Sequence, residues 1–443
     1  MTDLKQYRIT ASSAAQLVAG IEEAVAGGEL APGARLPSVR DLAGEAGLSP
    51  ATVASALAEL RRRGVVVTEP RRGTRIGARP PLPAPVELAV PPGARDLSRG
   101  NPDPELLPDL AAALRATPQP VRLYGEAAEF EGLLERARTA LRAEGVPAGE
   151  LCVVSGALDG IERVLSVRLR PGDRVAVEDP GYAALYDLLR AQGLAMEPVA
   201  VDERGMQPDS LRAAIARGAR AAVVTPRGQN PTGAALDAER AAQLRAVFAS
   251  YPEVVAIEDD HLGPVAGAPL HTLSGAGNAW ATARSVAKAL GPDLRLAVLA
   301  GDESTVARVR GRQLCGAGWV SHVLQRLVAA LWADPGVQAQ VREARGAYVR
   351  RREALLAELA AAGVSAWGAS GLNVWVPVHD EAATIAQMLA RGWVLAPGAR
   401  FKLASGEGAV RMTSATLEPE EARRLAADLA AALTPATPVI RSG

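Results

Sequence analysis

The 443-residue sequence is poor in several residue types, and each shortage excludes a class of protein. Its two cysteines, Cys152 and Cys315, and four scattered histidines provide neither a disulfide framework nor a zinc cluster, which suits a reducing cytosol. Basic and acidic residues are equal at 49 each, so the net charge does not indicate binding to a nucleic acid or a membrane. A protein with no net charge can nevertheless carry a small basic surface. There is no signal-peptide core and no apolar run of bilayer length, and we therefore expect a soluble, cytoplasmic protein with no membrane partner.

Prolines and apolar runs indicate how the chain divides. A proline-rich stretch at 79–96 excludes a helix interior and predicts a linker between a block at 1–78 and a larger block at 97–435, with a frayed tail at 436–443. In the larger block, short apolar runs alternate with amphipathic stretches. This alternation predicts an α/β fold with a mixed, mostly parallel sheet and flanking helices.

The N-terminal block begins with two predicted helices. Leu17, Ile21 and Val25 repeat every fourth residue, as the buried stripe of a helix does, and two glycines end this helix at 27–28. Ser38 is a favourable N-cap for a second helix of about 39–46, with Asp41 three positions further on as in a capping box.

A third helix and a hairpin complete this block. After Gly47, Ser49 caps a helix that has Pro50 at its first position and runs to about Arg63. A short apolar strand and an arginine-rich hairpin follow at 65–76. This order of elements predicts a winged helix-turn-helix, in which the arginines at 61–63 and 71–75 lie near DNA phosphates. By pattern alone, a small helical bundle is the alternative.

The segment GELAPGARLPSVRDLAGEAGLSPATVASALAELRRRGVVV resembles the GntR-type winged helix. Pro50 and Ala54 stand where that family often has basic or polar side chains, so we expect a double-stranded DNA operator that differs from those of its relatives. The resemblance implies six DNA-binding residues, which are Arg35, Ser38, Arg40, Ser49, Thr52 and Arg72.

The run SVAKALGPDLRLAVLAG places Ser285, Lys288 and Arg295 in one short loop between apolar runs. A single lysine is by default a solvated surface residue. This run, however, resembles the active-site loop of fold-type I aminotransferases, and its sequence is similar to that of the MocR branch of GntR regulators. The resemblance implies that Lys288 forms an imine with pyridoxal 5′-phosphate (PLP) and that Ser285 and Arg295 hold the phosphate. It also implies a large part at about 97–330 and a smaller C-terminal α+β part at about 331–435.

Two more segments predict contacts to the cofactor ring. The strand VVAIEDDHLG ends in acids, and by the resemblance Asp259 keeps the pyridine nitrogen protonated. His261 stands where relatives commonly have tyrosine, and an imidazole there titrates near neutrality. In TPRGQNPTG, Asn230 donates to the phenolic oxygen of the cofactor, and the Asn230–Pro231 bond is expected to be cis. Without the neighbouring motifs, the acids that end this strand would be interpreted as helix caps and the NPTG segment as an ordinary turn.

Further resemblances complete the predicted site. In VVSGALDG, Gly156, Ala157 and Leu158 begin a helix and direct N–H groups at the phosphate. In EDPGY, Tyr182 stacks on the ring.

Two last resemblances concern the partner subunit and the substrate. In RLYG, Tyr124 reaches the phosphate of the partner subunit, and in GAVRMTSATL, Arg411 binds a substrate carboxylate.

Three functions are compatible with these motifs. The chain is a regulator that senses PLP or an adduct of PLP with an amine or amino acid, an active aminotransferase with a residual winged helix, or a DNA-binding dimer with an empty pocket. The intact N-terminal block argues against the second and the nearly complete set of cofactor residues against the third. We therefore expect a homodimeric, PLP-dependent transcription regulator, whose effector and operator the sequence does not identify.

Overall fold

A computed structural model describes residues 11–26, 29–31, 33–62, 64–69, 73–77, 90–403 and 406–434. These residues form two compact units. Among the helices in these ranges, none combines the length and the apolar character needed to cross a membrane. The predicted tail at 436–443 and most of the predicted linker lie outside the described residues.

The N-terminal elements are three helices and a hairpin, as predicted. The first helix buries Leu17 and Ile21 completely, whereas Val25 is only half-buried, and Val18 and Ala24 complete the stripe. The bounds are α1 (Ala14–Ala26), α2 (Val39–Ala46), α3 (Pro50–Arg62), β1 (Val66–Glu69) and β2 (Gly73–Ile76).

Local caps explain where these helices begin and end. The Ser38 hydroxyl accepts the backbone N–H of Asp41 at 3.3 Å, and Gly47 ends α2 in the left-handed region at φ 67°. The Ser49 hydroxyl accepts the N–H of Thr52 at 3.1 Å at the start of α3. Strands β1 and β2 pair antiparallel, with Val66 opposite Ile76, and residues 70–72 between them lie outside the described residues. The caps predicted from sequence are confirmed.

From residue 90 onward the chain alternates strands and helices. The strands are β3 (Arg95–Asp96), β4 (Glu150–Val154), β5 (Arg174–Asp179), β6 (Ala195–Asp202), β7 (Gly205–Met206), β8 (Ala219–Val224), β9 (Val255–Asp260), β10 (Trp280–Ser285), β11 (Ala297–Gly301), β12 (Asn373–Pro377), β13 (Trp393–Val394), β14 (Ala396–Pro397) and β15 (Ala409–Thr413). The helices are α4 (Leu110–Ala116), α5 (Glu131–Ala143), α6 (Ala157–Arg168), α7 (Ala183–Ala191), α8 (Pro208–Ala216), α9 (Ala238–Ser250), α10 (Ala287–Leu290), α11 (Glu303–Leu314), α12 (His322–Ala333), α13 (Pro335–Ala361), α14 (Glu381–Ala390) and α15 (Pro419–Leu433).

Eight strands form one mixed sheet in the order β4-β11-β10-β9-β8-β5-β6-β7. Strands β8, β9 and β10 are parallel, whereas β11 runs antiparallel to both of its neighbours. The central strand β9 is buried along its whole length, which explains its nearly continuous apolar sequence before the terminal acids. The carboxyl ends of β8, β9 and β10 therefore meet at one edge of the sheet, where ligands of open α/β sheets bind.

A smaller C-terminal part has its own core and an antiparallel sheet in the order β12-β15-β14. Strand β13 pairs in parallel with β3. Arg95 and Asp96, the last two residues of the predicted linker, form β3 in this pairing.

Candidate functional site

Lys288 lies on the short helix α10, directly after β10. Its Nζ donates a hydrogen bond to the carbonyl oxygen of Gly100. Burial, and then the positive charge of Arg411, lower the pKa of the Lys288 ammonium to about 8. Roughly a tenth of this side chain is therefore the neutral amine at pH 7, far more than for an ordinary lysine, and the neutral amine is the form that attacks an aldehyde.

Asp259 is the penultimate residue of β9, and its carboxyl group is buried. Burial, followed by the charges of Asp260 and Glu178, raises its pKa to about 7. Its Oδ1 is buried without a hydrogen-bond partner. This oxygen lies at the edge where the parallel strands end, and it could accept a hydrogen bond from an N–H donor of a ligand, such as a pyridinium ring.

The neighbouring acid, Asp260, is fully paired. Its carboxylate accepts hydrogen bonds from Arg227 at 2.9 and 3.1 Å and from Arg284. Burial alone would raise the pKa of Asp260, but the two guanidinium groups outweigh burial and keep that pKa far below its ordinary value. Glu144 pairs with both arginines in turn. This network anchors the end of β9 and so holds Asp259 in position.

Sequence reasoning missed this network. The only signal was that charged residues interrupt otherwise apolar segments, as Arg284 does in β10 and Asp260 does in β9. The pairing of these charges depends on neighbouring strands and on Glu144, which follows α5, and no local pattern predicts it.

His261 follows β9, and its Nδ1 lies 3.9 Å from Oδ2 of Asp259. Burial, and then the charge of Lys288, lower the pKa of its imidazole to about 4. The expectation that His261 titrates near neutrality is therefore wrong, because desolvation keeps the ring neutral. Its Nδ1 is buried without a hydrogen-bond partner, so it can still bond to a ligand.

The residues predicted to hold a phosphate surround the start of α6. Gly156 precedes this helix with a φ of 103°, and Ala157 and Leu158 are its first two residues. A Cβ atom at Gly156 would lie 3.6 Å from Nη2 of Arg295, so glycine leaves room between the helix and the guanidinium. Free N–H groups at a helix start beside an arginine fit a phosphate.

The prediction that Ser285, Lys288 and Arg295 lie in one short loop is wrong, because they lie in or after three different elements. Ser285 is the last residue of β10, where its Oγ accepts the N–H of Ala287 at 3.1 Å. Arg295 follows a 3₁₀ turn in the left-handed conformation, at φ 42°. Among the described non-glycine residues it alone has a positive φ, a conformation that is uncommon for residues other than glycine.

Arg411 and Asn230 are in direct contact. Nη1 of Arg411 donates to Oδ1 of Asn230 at 3.1 Å, Nη2 donates to the carbonyl oxygen of Ser98, and the guanidinium lies 5.0 Å from the ring centroid of Phe401. The Nε of Arg411 is buried without a partner. Burial, and then Arg400, lower the Arg411 pKa to about 10. The predicted cis bond between Asn230 and Pro231 is confirmed.

The two predicted tyrosines differ in their surroundings. The pKa of Tyr182 is raised by burial and then by Asp259, while Arg295 and Arg411 act on it in the opposite direction, so Tyr182 shares the site with all three. Tyr124 is 92% exposed, and the edge of its ring contacts Trp319 at a centroid distance of 5.7 Å. The structure therefore brings Tyr182 but not Tyr124 to the site of its own chain.

The predicted DNA-binding residues lie at the surface of the N-terminal unit. Arg35, Ser38, Arg40 and Ser49 are exposed, and Thr52 is half-buried. Arg35 forms an isolated β-bridge with Arg75, which brings it beside the hairpin. Arg72 lies outside the described residues.

Two family models match separate stretches of the chain. Residues 13–76 match the model of bacterial regulatory proteins of the gntR family, and residues 95–429 match that of aminotransferase class I and II. The chain belongs to the MocR-type subfamily of GntR transcription regulators, in which these two parts are fused. It is thus a DNA-binding regulator whose aminotransferase-like part binds PLP.

Individual relatives agree with this assignment. The vitamin B6 salvage pathway transcriptional repressor PtsJ of Salmonella typhimurium is 39% identical over 428 residues, which cover 96% of this chain and 99% of that protein. The pyridoxine biosynthesis regulator PdxR of Corynebacterium glutamicum is 34% identical over 257 residues, which cover 55% of each chain.

Solved structures show the same fold. An archaeal alanine:glyoxylate aminotransferase aligns with a TM-score of 0.70 at 22% identity, covering 77% of this chain and 90% of its own. The α-aminoadipate aminotransferase LysN of Thermus thermophilus aligns with a TM-score of 0.67 at 23% identity, covering 77% and 92%.

Proposed function

We propose that this regulator senses PLP, or an amine bound to PLP, through Lys288 and converts that event into a change of DNA affinity. The observation that carries the proposal is that a weakly basic Lys288 follows β10, while a buried Asp259, whose Oδ1 has no partner, lies at the end of the neighbouring strand β9. The proposal is supported by the 39% identity to a vitamin B6 salvage repressor along nearly the whole chain.

Each candidate residue has a distinct task in this proposal. Asp259 accepts the ring N–H, and the start of α6 with Ser285 and Arg295 binds the phosphate. Tyr182 covers the ring, and the amide nitrogen of Asn230 and the neutral imidazole of His261 face the phenolic oxygen. When bound, PLP supplies an electron-withdrawing ring and an aldehyde that bonds to amines.

Arg411 indicates what kind of amine the site accepts. Its buried Nε has no partner, and a carboxylate would satisfy this donor and neutralise the guanidinium. We therefore propose that an amine effector of this site carries a carboxylate, as an amino acid does. Such an effector would compete with Lys288 for the aldehyde of PLP, because an amine that bonds to the aldehyde releases the lysine.

The same arginine favours a second candidate function, slow turnover of an amino acid. The two candidates differ in their products, because turnover leaves a keto acid whereas sensing leaves the amino acid intact. With a second 2-oxo acid added to accept the amino group from the cofactor, keto acid formed over many cycles would favour an enzyme, and its absence would favour a sensor.

We further propose that the chain acts in the cytoplasm as a homodimer on a double-stranded operator. Large apolar side chains that are mostly exposed support an interface between copies: Val121 at 86%, Leu123 at 68%, Tyr124 at 92% and Leu314 at 63%. Three of these side chains lie within residues 121–124, and soluble monomers rarely expose large contiguous apolar patches. Two winged helices per dimer would suit a repeated or palindromic site.

Attachment of PLP to Lys288 can be tested directly, because the sequence has only three lysines, at positions 5, 288 and 402. We expect PLP, followed by borohydride reduction, to label the peptide containing Lys288 in the full-length protein. Lys288→Ala should lose the visible cofactor absorption and the label, whereas the matched variant Lys402→Ala should keep both. Unchanged absorption and labelling of Lys288→Ala would show that another group holds PLP.

A further inference from the structure

A cavity with a volume of about 590 Å³ lies between α5, α12 and α13 beside α10. None of the candidate cofactor residues lines it. Its wall combines charged and apolar side chains: Glu135, Arg136, Glu144, Arg284, Leu290 and Trp332. A cavity of this size accommodates a small metabolite.

The cavity lies behind the proposed cofactor site. Arg284 precedes Ser285 on β10, and Ala289 and Leu290 follow Lys288 on α10; these residues line the cavity. Pro264, in the 3₁₀ turn shortly after His261, also lines it. The segments that carry three of the cofactor residues thus present neighbouring side chains to the cavity. A ligand there would act on α10, which is only one turn long.

The charges of the cavity indicate the charge of its ligand. Deep in the wall, Arg284 is paired with Glu144 and with Asp260. At the open side, Glu135 and Arg136 are exposed, and neither side chain has a described hydrogen bond or ion pair. These neighbours in sequence do not face each other on α5, so each is available to a ligand. Two acids and two bases give no net charge, which disfavours a phosphorylated ligand and favours a zwitterion.

The apolar wall indicates the body of the ligand. Leu290 and Val341 are buried, and the indole of Trp332 is partly buried beside them. An aliphatic or aromatic side chain would cover this surface and be removed from water.

We propose that this cavity is a second effector site for an amino acid with a large apolar side chain. Arg136 binds its carboxylate, Glu135 binds its ammonium group, and Trp332 and Leu290 contact its side chain. Occupancy shifts α10 and thereby changes the reactivity of Lys288. This coupling rests on the proposed role of Lys288, whereas the cavity itself does not.

The test uses N,N-dimethyl-L-phenylalanine, a zwitterion whose tertiary amine cannot bond to the PLP aldehyde. We expect calorimetry to show one site on the full-length protein, both with and without PLP. Ala140→Trp, at an exposed position that lines the cavity, should abolish binding by filling the space. Arg136→Gln should weaken binding about fivefold, as expected for one solvent-exposed ion pair. The control Arg142→Gln, on the same helix but outside the cavity, should bind like the wild type.

Each outcome decides a separate point. The site is refuted if the wild type shows no binding at millimolar probe, or if Ala140→Trp binds as tightly as the wild type while keeping its visible PLP absorption. A change in the sedimentation of Ala140→Trp would also refute it, because another copy of the chain would then cover the cavity. If the probe binds to PLP-free protein but PLP has no effect on DNA affinity, the cavity site stands and only the proposed function is refuted.

Discussion

In the winged helix, the polar residues proposed to contact DNA already satisfy the ends of their own helices, as Ser38 and Ser49 do. In the aminotransferase-like part, the polar residues proposed to bind PLP are buried and incompletely satisfied, as Asp259, His261 and Arg411 are. The first group therefore stabilises the fold without any ligand, whereas the second group destabilises the ligand-free fold and gains partners on binding. Substitutions in the two regions should consequently change stability in opposite directions.

The largest expected effect is that of Asp259→Asn on the cofactor. The substitution replaces a charge-assisted hydrogen bond to the ring nitrogen, worth about 1.5–3 kcal/mol, so PLP affinity should fall roughly tenfold to a hundredfold. Titration of visible absorbance measures this loss. The control Asp209→Asn, in an exposed ion pair with Arg212, should bind PLP normally. Equal PLP affinity of Asp259→Asn and the wild type would show that Asp259 does not contact the ring.

The same variant should change how stability depends on pH. The Asp259 pKa is raised from 3.8 to about 7 in the fold, so the folded state binds more protons than the unfolded state and loses stability as pH rises between these values. Asp259→Asn should remove this loss in the PLP-free protein. Denaturant midpoints at several pH values measure it, and an unchanged slope would contradict the burial argument.

A tenfold effect is expected from pH on the attachment of PLP. The Lys288 pKa of about 8 means that the neutral amine increases about tenfold from pH 7 to pH 9 and then levels off. Stopped-flow absorbance at several pH values measures the attachment rate. A rate that keeps rising above pH 10 would show that Lys288 titrates as an ordinary exposed lysine.

The smallest effect is expected in the winged helix. Ser38→Ala removes the cap of α2 and should cost about 1 kcal/mol of unfolding free energy for that unit, without DNA present. Thermal denaturation of the full-length protein, followed by a probe in the N-terminal unit, measures it. A gain in stability from Ser38→Ala would break the contrast between the two regions.

Much of the fold was predictable because its signals are local. The caps at Ser38 and Ser49, the proline at the first position of α3 and the apolar run of β9 each depend on a few consecutive residues. Strand β10 was harder to locate, since Thr282, Arg284 and Ser285 make its sequence polar although all of it is buried. Its polar residues are satisfied by distant partners, such as Glu258 for Thr282.

The candidate site was predictable by residue type but not by environment. Motifs predict Lys288 and Asp259 as site residues, yet the shifted pKa values of these residues arise from burial and from charges elsewhere in the chain. For the same reason the sequence assigned His261 an ordinary titration, which its surroundings remove. The carbonyl oxygens of Ser98 and Gly100, which accept from Arg411 and Lys288, carry no signal in the sequence at all.

We propose that one chain couples PLP binding at Lys288 to DNA binding at the winged helix. The most direct measurement is the dissociation constant of the full-length protein for DNA upstream of its own gene, with and without saturating PLP, in the wild type and in Lys288→Ala. We predict that PLP changes the dissociation constant for DNA by about fivefold or more in the wild type and not at all in the variant. Because coupling is reciprocal, DNA should change the dissociation constant of the wild type for PLP by the same factor. Equal DNA affinity of the wild type in the presence and absence of PLP would contradict the account.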